Sequence, residues 1–215
     1  MIINLKDEHI SPVIYKEPSQ TVEIAEKIGV NLKKLPKHIA FIMDGNGRWA
    51  NSKGKKRTFG HRNGVKVVKD LVKAFRFLNI PVMTVYAFST ENWQRSPEEV
   101  DFLMYLFEDS IIKQCKELKE NGVRVRFIGK IDELRPALRE KIKWIEEETK
   151  EQNGLILNVA ANYGGRKEII DAVSKIAEDI EKGNISKSDI NETLFEKYLY
   201  TSSLPDPDLL IRTSG

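Results

Sequence analysis

The chain has 215 residues, 40% hydrophobic and 31% charged, with 35 Lys and Arg against 32 Asp and Glu for a net charge of +3. That profile suits one soluble domain with a substantial core, and it excludes an extensively disordered chain. The small net charge does not by itself imply nucleic acid, and no apolar run approaches the roughly 18 residues of a membrane-spanning helix.

A single cysteine, Cys115, excludes an internal disulfide and fits a reducing compartment. The opening MIINLKDEHISP carries charges where a secretion signal needs its apolar stretch, so the expectation is a cytoplasmic, soluble protein still free to touch a membrane surface. Residues 1–36 read as an extension with one short helix near Thr21 to Ile28, closed by Gly29 and followed by the breaker Pro36.

From there strand and helix patterns alternate. Short apolar runs predict strands at Ile39–Met43, Val82–Phe88, Val123–Ile128, Leu155–Ala160 and Leu209–Ile211. Val65, Val68, Leu71, Val72, Phe75 and Leu78 recur at helical spacing between the first two. A second helix, 97–120, is rich in large apolar groups: Val100, Phe102, Leu103, Met104, Leu106, Phe107, Ile111 and Ile112. Further helices are expected around 133–151, 166–182 and 189–199. The alternation predicts an α/β fold, a mostly parallel sheet with helices on both faces.

Ligands of such sheets bind beyond the carboxyl ends of the strands. That rule gathers Asp44-Gly45-Asn46-Gly47-Arg48 after the first strand and Ser89-Thr90-Glu91-Asn92-Trp93 with Arg95 after the second. It adds Asn162-Tyr163-Gly164-Gly165-Arg166 after the fourth and Arg212 from the last, while the third ends in Gly129-Lys130. One carboxylate, several arginines and glycine-flanked backbone on one rim describe a phosphate site with room for a divalent metal.

Other motifs weigh less. Gly45-x-Gly47-x-x-Ala50 matches the dinucleotide fingerprint as a string, but a basic, glycine-containing stretch follows it, and no acid closes a second strand at the required distance. A phosphate-binding P-loop fails because Trp49 and Lys56 stand where Gly and Ser or Thr are needed. Between Gly45 and Lys69 there is no acid, only Arg48, Lys53, Lys55, Lys56, Arg57, Arg62, Lys66 and Lys69 among charged residues. The lysines read as a solvated loop and Arg48 and Arg57 as functional; RNA binding, with Trp49, Phe59 and Trp93 as stacking platforms, is the weaker reading. Ser96-Pro97-Glu98-Glu99 reads as a capping box, which gives Glu99 a sufficient structural role. The spacing of His61 from His9 and His38 does not suit zinc.

HIAFIMDGNGRWA at 38–50, RTFGH at 57–61, TVYAFSTENWQR at 84–95, LNVAANYGGR at 157–166 and DLLIRTSG at 208–215 together resemble the cis-prenyltransferase family, nearest to the bacterial undecaprenyl diphosphate synthases. The resemblance runs in order from about Pro36 to Gly215. It implies condensation of isopentenyl diphosphate onto an allylic diphosphate, usually farnesyl diphosphate, to give a long-chain polyprenyl diphosphate such as the undecaprenyl carrier of cell-wall precursors. It implies Mg²⁺ at Asp44, and Gly45, Asn46, Gly47, Arg48, Arg57 and His61 around the allylic diphosphate; Trp49 joins the substrate-binding candidates, open between stacking beside the substrate and simple packing. Ser89, Thr90, Glu91, Asn92, Trp93 and Arg95 would form a mobile loop, with Asn92 assisting proton removal. Arg95 and Arg212 would hold the isopentenyl diphosphate. No Asp-Asp-x-x-Asp motif of the trans class occurs.

The family fold encloses an apolar tunnel, and at about 0.8 kcal/mol per buried CH₂ each added isoprenoid unit gains several kcal/mol if sheltered. The helix at 97–120 fits one wall, with about half of its large side chains expected in ordinary core. The implied partners are the two diphosphate substrates and, with the C-terminal region present, a second copy of the chain; the partitioning of a long polyprenyl product adds peripheral membrane contact as an expectation, and nucleic acid is not expected. The family motif continues beyond the position of Gly215. The expected catalytic domain, 37–215, therefore reads as C-terminally incomplete, and a catalytically impaired subunit is the alternative.

Overall fold

The computed structural model describes Lys27 and residues 29–214. The helix expected near Thr21 to Ile28 therefore falls outside the description, apart from Lys27, which is helical. The chain divides at Leu35–Pro36 into two units. In the first, the Asn31 side chain accepts a hydrogen bond from the Lys33 backbone at 3.0 Å and opens a 3₁₀ turn, Leu32–Lys34.

In the second unit, five parallel strands form one sheet: β1 (His38–Ile42), β2 (Val82–Ser89), β3 (Val123–Ile128), β4 (Leu155–Tyr163) and β5 (Leu209–Arg212), in the order β3-β4-β2-β1-β5. The helices are α1 (Asn46–Ser52), α2 (Arg57–Leu78), α3 (Pro97–Glu120), α4 (Pro136–Thr149), α5 (Gly165–Glu181) and a short α6 (Glu192–Glu196). The strand registers align Phe127, Val159, Val85, Phe41 and Ile211 as one row across the sheet. This row faces α2 and α3, and Phe41 packs on Phe75 of α2 with ring centroids 5.9 Å apart.

The next row, Arg126, Asn158, Thr84, Ala40 and Leu210, points to the opposite face because side chains alternate along a strand. That face is polar at its centre and lies towards α5 and the segment before β5. Nδ1 of the buried His38 stands 2.7 Å from the Pro205 carbonyl oxygen, which can only accept, so Nδ1 carries the proton. The Thr84 hydroxyl then donates to Nε2 at 2.8 Å and accepts from the Asn158 amide at 3.1 Å. With the Asp208 carboxylate accepting from the Lys37 and His38 backbones, this chain of bonds fixes where β5 starts and so where Arg212 ends.

The edge of β3 is covered. Its outward N–H groups at Val125 and Phe127 donate to Thr149 Oγ1 and Glu146 Oε1 of α4, at 3.0 and 2.7 Å, which removes an open pairing edge.

Five expectations need correction. The stretch after Asp44 is helical at once: Gly45, at φ +84°, is the left-handed residue that turns β1 into α1. A helix thus follows the Gly45-x-Gly47-x-x-Ala50 string, but it is short and polar, unlike the apolar-periodic helix of a dinucleotide site. The basic stretch is likewise not all loop, since α2 begins at Arg57 rather than near Val65, and Arg57 to Arg62 form its first turns. The box at Ser96 is half made: Ser96 accepts from the Glu99 backbone at 3.3 Å, but the Glu99 side chain turns away to other partners. β4 runs on to Tyr163 because Ala161 and Tyr163 keep pairing with Phe88 and Ser89 through a register shift. The helix expected around 189–199 contracts to Glu192–Glu196.

Candidate active site

Asp44 leaves the end of β1, an interior strand of the sheet, and β5 brings Arg212 alongside through the pairing of Ile42 with Arg212. Arg212 donates from Nη2 and Nε to one carboxylate oxygen of Asp44, at 2.8 and 3.2 Å. The other oxygen accepts from the Gly45 backbone at 2.6 Å and pairs with Arg48 at 3.3 Å. The Arg212 hydrogen bond, aided by Gly45 and Arg48 against modest burial, holds the Asp44 carboxyl below its usual range. Thr213 closes the corner by donating to the Asp44 carbonyl at 2.7 Å.

Glycines set how closely these parts approach. A Cβ on Gly47 would stand 2.6 Å from the Arg57 guanidinium, and one on Gly60 only 1.9 Å from the Asn46 carbonyl oxygen. Gly64, one turn further along α2, lies under the Asn46 side chain. Gly60 and Gly64 therefore let α1 press onto α2 and place its arginine and amide beside Asp44.

A second cluster sits opposite, around Glu99 in the first turn of α3. Arg57 donates to both Glu99 oxygens at 2.8 and 3.1 Å; Arg95 reaches Oε1 at 2.8 Å and His61 Nε2 reaches it at 2.9 Å. A carboxylate only accepts, so the proton of neutral His61 is on Nε2. Burial pushes the Glu99 carboxyl up, but Arg57, His61 and Arg95 overcome it and hold it at about 2. Burial lowers His61 against the opposing pull of Glu99, which keeps the ring neutral near pH 7. Sequence reasoning passed over Glu99 because a cap explained it; the visible signal was an acid four residues after Arg95, the spacing of an i,i+4 pair.

Between the clusters, β2 ends in a 3₁₀ turn, Thr90–Gln94. Asn92 accepts from the Ser89 backbone at 3.1 Å while the Ser89 side chain accepts in return, a reciprocal cap. The Trp93 ring meets Phe88 edge-on at 5.1 Å, and its indole N–H donates to Asn162 Oδ1 at 2.7 Å. Asn162 is buried at a left-handed φ of 50°, and its amide nitrogen holds the Lys130 carbonyl at 3.0 Å.

A cavity of about 550 Å³ opens onto this rim. Asp44, Gly45, Asn46, Gly47, Arg48, Arg57, His61, Ser89, Asn92, Arg95 and Arg212 all line it. Trp49, Thr90, Glu91 and Trp93 do not: Trp49 stacks on Phe59 at 5.9 Å, and Thr90 fills the space beside Gly164. Arg166 also stays outside, and Lys130 is paired with Asp171 at 2.8 Å.

Below the rim the lining turns apolar. Val65 and Val68 of α2, Val85, Val125, Phe127, Leu157 and Val159 of the sheet, and Ile145 of α4 supply one side. Leu103, Leu106, Phe107, Ser110, Ile111, Gln114 and Leu118 of α3 supply the other, at the spacing of a single helical stripe. Leu103 and Leu118 lie about 22 Å apart along the helix axis. Of the large apolar groups expected on this helix, Leu103, Leu106, Phe107 and Ile111 line the cavity, Val100 and Met104 are buried elsewhere, and Ile112 is exposed.

The donor set can be tested against a metal. Among the described residues no group of three or more His, Cys, Asp or Glu is placed to hold an ion. Mg²⁺ commonly takes one or two carboxylates plus substrate phosphates rather than a full protein cage. Asp44, ionised, at the cavity mouth and surrounded by diphosphate-competent arginines, fits that arrangement.

Residues 42–215 match the family model described as putative undecaprenyl diphosphate synthase. The chain is 49% identical over 193 residues to an isoprenyl transferase of Clostridium perfringens, covering 90% of this chain and 76% of that protein. It is 48% identical over 183 residues to a farnesyl-diphosphate-specific ditrans,polycis-undecaprenyl-diphosphate synthase of Vibrio vulnificus, covering 85% and 73%. Among solved structures, lavandulyl diphosphate synthase of Lavandula x intermedia, in complex with dimethylallyl diphosphate, superposes with a TM-score of 0.79 at 37% identity over 82% of this chain and 77% of that one.

Proposed function

The chain belongs to the undecaprenyl diphosphate synthase family and is a prenyltransferase, and we propose that it extends an allylic diphosphate, farnesyl diphosphate, with isopentenyl diphosphate units in cis to give a long polyprenyl diphosphate. The observation that carries this reading is the continuity of one cavity, from a rim of arginines around Asp44 into an apolar bore along α3. A diphosphate head and a growing hydrocarbon tail need those two environments in that order.

In each round the allylic carbon–oxygen bond breaks and the diphosphate leaves with the electron pair. The allylic carbon bonds to the terminal alkene carbon of isopentenyl diphosphate, and a proton is lost. Asp44 would hold Mg²⁺, which would supply neutralisation of the leaving diphosphate. Arg48 and Arg57 supply fixed positive charge at the same place, and Gly45 and Gly47 leave the α1 backbone accessible to phosphate oxygens. Arg95 and Arg212 take the isopentenyl diphosphate. Four rim arginines face two carboxylates, Asp44 and Glu99, so the mouth retains net positive charge for its anionic substrates. Asn92 is a neutral amide whose oxygen is occupied by Ser89; it orients and hydrogen-bonds near the proton lost rather than acting as a strong base. His61, neutral, bridges to Glu99 and so steadies Arg57.

Each added unit moves the tail further along the Leu103–Leu118 stripe and out of water. The apolar product calls for delivery to a bilayer by peripheral contact from a cytoplasmic protein; no described helix is long and apolar enough to cross a membrane. The product's use as a cell-wall lipid carrier and assembly as a homodimer belong to the same proposal.

The test is incubation with farnesyl diphosphate, labelled isopentenyl diphosphate and Mg²⁺, followed by solvent extraction. Long-chain labelled product is expected, with Asp44→Ala reducing turnover by at least about 100-fold, the scale for losing an electrostatic partner of the leaving group. Absence of product, or full activity in Asp44→Ala, overturns the assignment.

A further inference from the structure

Beside the mouth lies a surface that the reaction does not use. Trp49 of α1 and Phe59 of α2 stack almost parallel, 6° apart, yet remain 43% and 42% exposed. The Lys53 ammonium lies 5.7 Å from the Trp49 ring centroid, and Arg62 lies 5.2 Å from the ring of Phe102 on α3. Lys55 and Lys56 lead into α2, and Lys66 follows two turns after Phe59. Lys53, Lys55, Lys56, Arg62 and Lys66 are all exposed and stand in no ion pair among the described residues, unlike Lys69, which is held by Glu117 at 2.5 Å. Not one acid interrupts residues 45–69. The neighbouring rim residues Arg48, Arg57 and His61 line the cavity, so the surface borders its opening.

Two aromatic rings in water, ringed by unpaired cations, are costly to solubility alone and call for a partner that is apolar beneath an anionic skin. We propose that the Trp49–Phe59 face docks the protein on an anionic lipid bilayer, turning the cavity mouth towards the membrane that receives the product. The choice of membrane rests on the prenyl-transfer reading for its product; the surface itself rests on charge and exposure. RNA fits less well, because each ring already covers one face of the other and leaves no slot for a base between them.

The experiment is co-sedimentation of the full chain with phosphatidylcholine vesicles and with mixed phosphatidylglycerol–phosphatidylcholine vesicles, alongside binding to a uridine homopolymer. The protein partitions onto the anionic vesicles, and the binding weakens with salt. Lys53→Gln/Lys55→Gln/Lys56→Gln lowers the partition constant on the order of a hundredfold, from the usual contribution of surface lysines. Phe59→Ala lowers it further without changing the salt dependence. A control triple, Lys143→Gln/Lys187→Gln/Lys197→Gln, removes equal charge from exposed sites elsewhere and leaves it unchanged. The proposal is overturned if the chain ignores anionic vesicles, if the control triple loses as much binding, or if the patch lysines govern RNA binding while vesicles go unbound. Condensation in detergent with soluble primer is measured on the same samples. The lysine triple retains it, and patch-dependent vesicle binding without condensation supports the surface while refuting the enzymatic reading.

Discussion

Replacing Glu99 by Gln removes one negative charge from the centre of Arg57, Arg95 and His61 while keeping the side chain's shape. The carboxyl is held at about 2 against an ordinary value of 4.5. That difference corresponds to about 3 kcal/mol of folding stability at neutral pH. The side chain is only 11% exposed, so solvent screening takes little from that figure. Because the folded value is depressed, the contribution is fully present above about pH 4.5 and is lost as pH falls through about 2. At pH 3 roughly 1 kcal/mol of it should remain. Urea unfolding of wild type and Glu99→Gln at a series of pH values measures the difference directly. The gap is expected to be widest near pH 7 and to shrink steadily towards pH 3. With Arg57 and Arg95 released, the KM for the allylic diphosphate should also rise by about tenfold, equivalent to roughly one charge-assisted hydrogen bond. A stability gap that stays constant from pH 7 to pH 3, or none at all, refutes the argument that Glu99 is an ionised hub.

Gly60→Ala forces a Cβ against the Asn46 carbonyl, so unfolding should show a loss of about 1–3 kcal/mol and turnover should fall with it. Asn162→Ala frees the Trp93 indole from its acceptor; the Trp emission should shift red, and kcat should fall more than KM, since the turn rather than the arginines is disturbed. Leu118→Trp narrows the bore at the far end of the α3 stripe, and chromatography of labelled products should show shorter chains at near-normal rates of the first condensation.

The fold was largely legible because buried parallel strands leave continuous apolar runs, and all five expected strands appear in the sheet. Strand order was not, since one sequence carries no pairing information between Ile42 and Arg212. The start of α2 was missed because its first two turns, Arg57 to Gly64, are polar and glycine-bearing; their stability comes from packing α1 against Gly60 and Gly64 rather than from a local apolar stripe. The rim residues could be read from motif and strand-end position. Glu99 was legible only as the partner of Arg95 four residues before it, because Arg57 and the neutral His61 reach it from another segment. Trp49 shares a motif with Arg48, yet its ring meets Phe59 and stays out of the cavity, as neighbours on a helix face different ways.

The close seat of α1 on α2 has a mechanical consequence. With the Asn46 carbonyl pressed where Gly60 has no side chain, the Asp44 corner is seated backbone against backbone. It behaves as an anvil. The turn at Thr90–Gln94 hangs instead on its own reciprocal cap, the Phe88–Trp93 edge contact and one indole hydrogen bond. The turn is the more lightly held side of the mouth, and a catalytic cycle would read as a hinged jaw working against a firmer one.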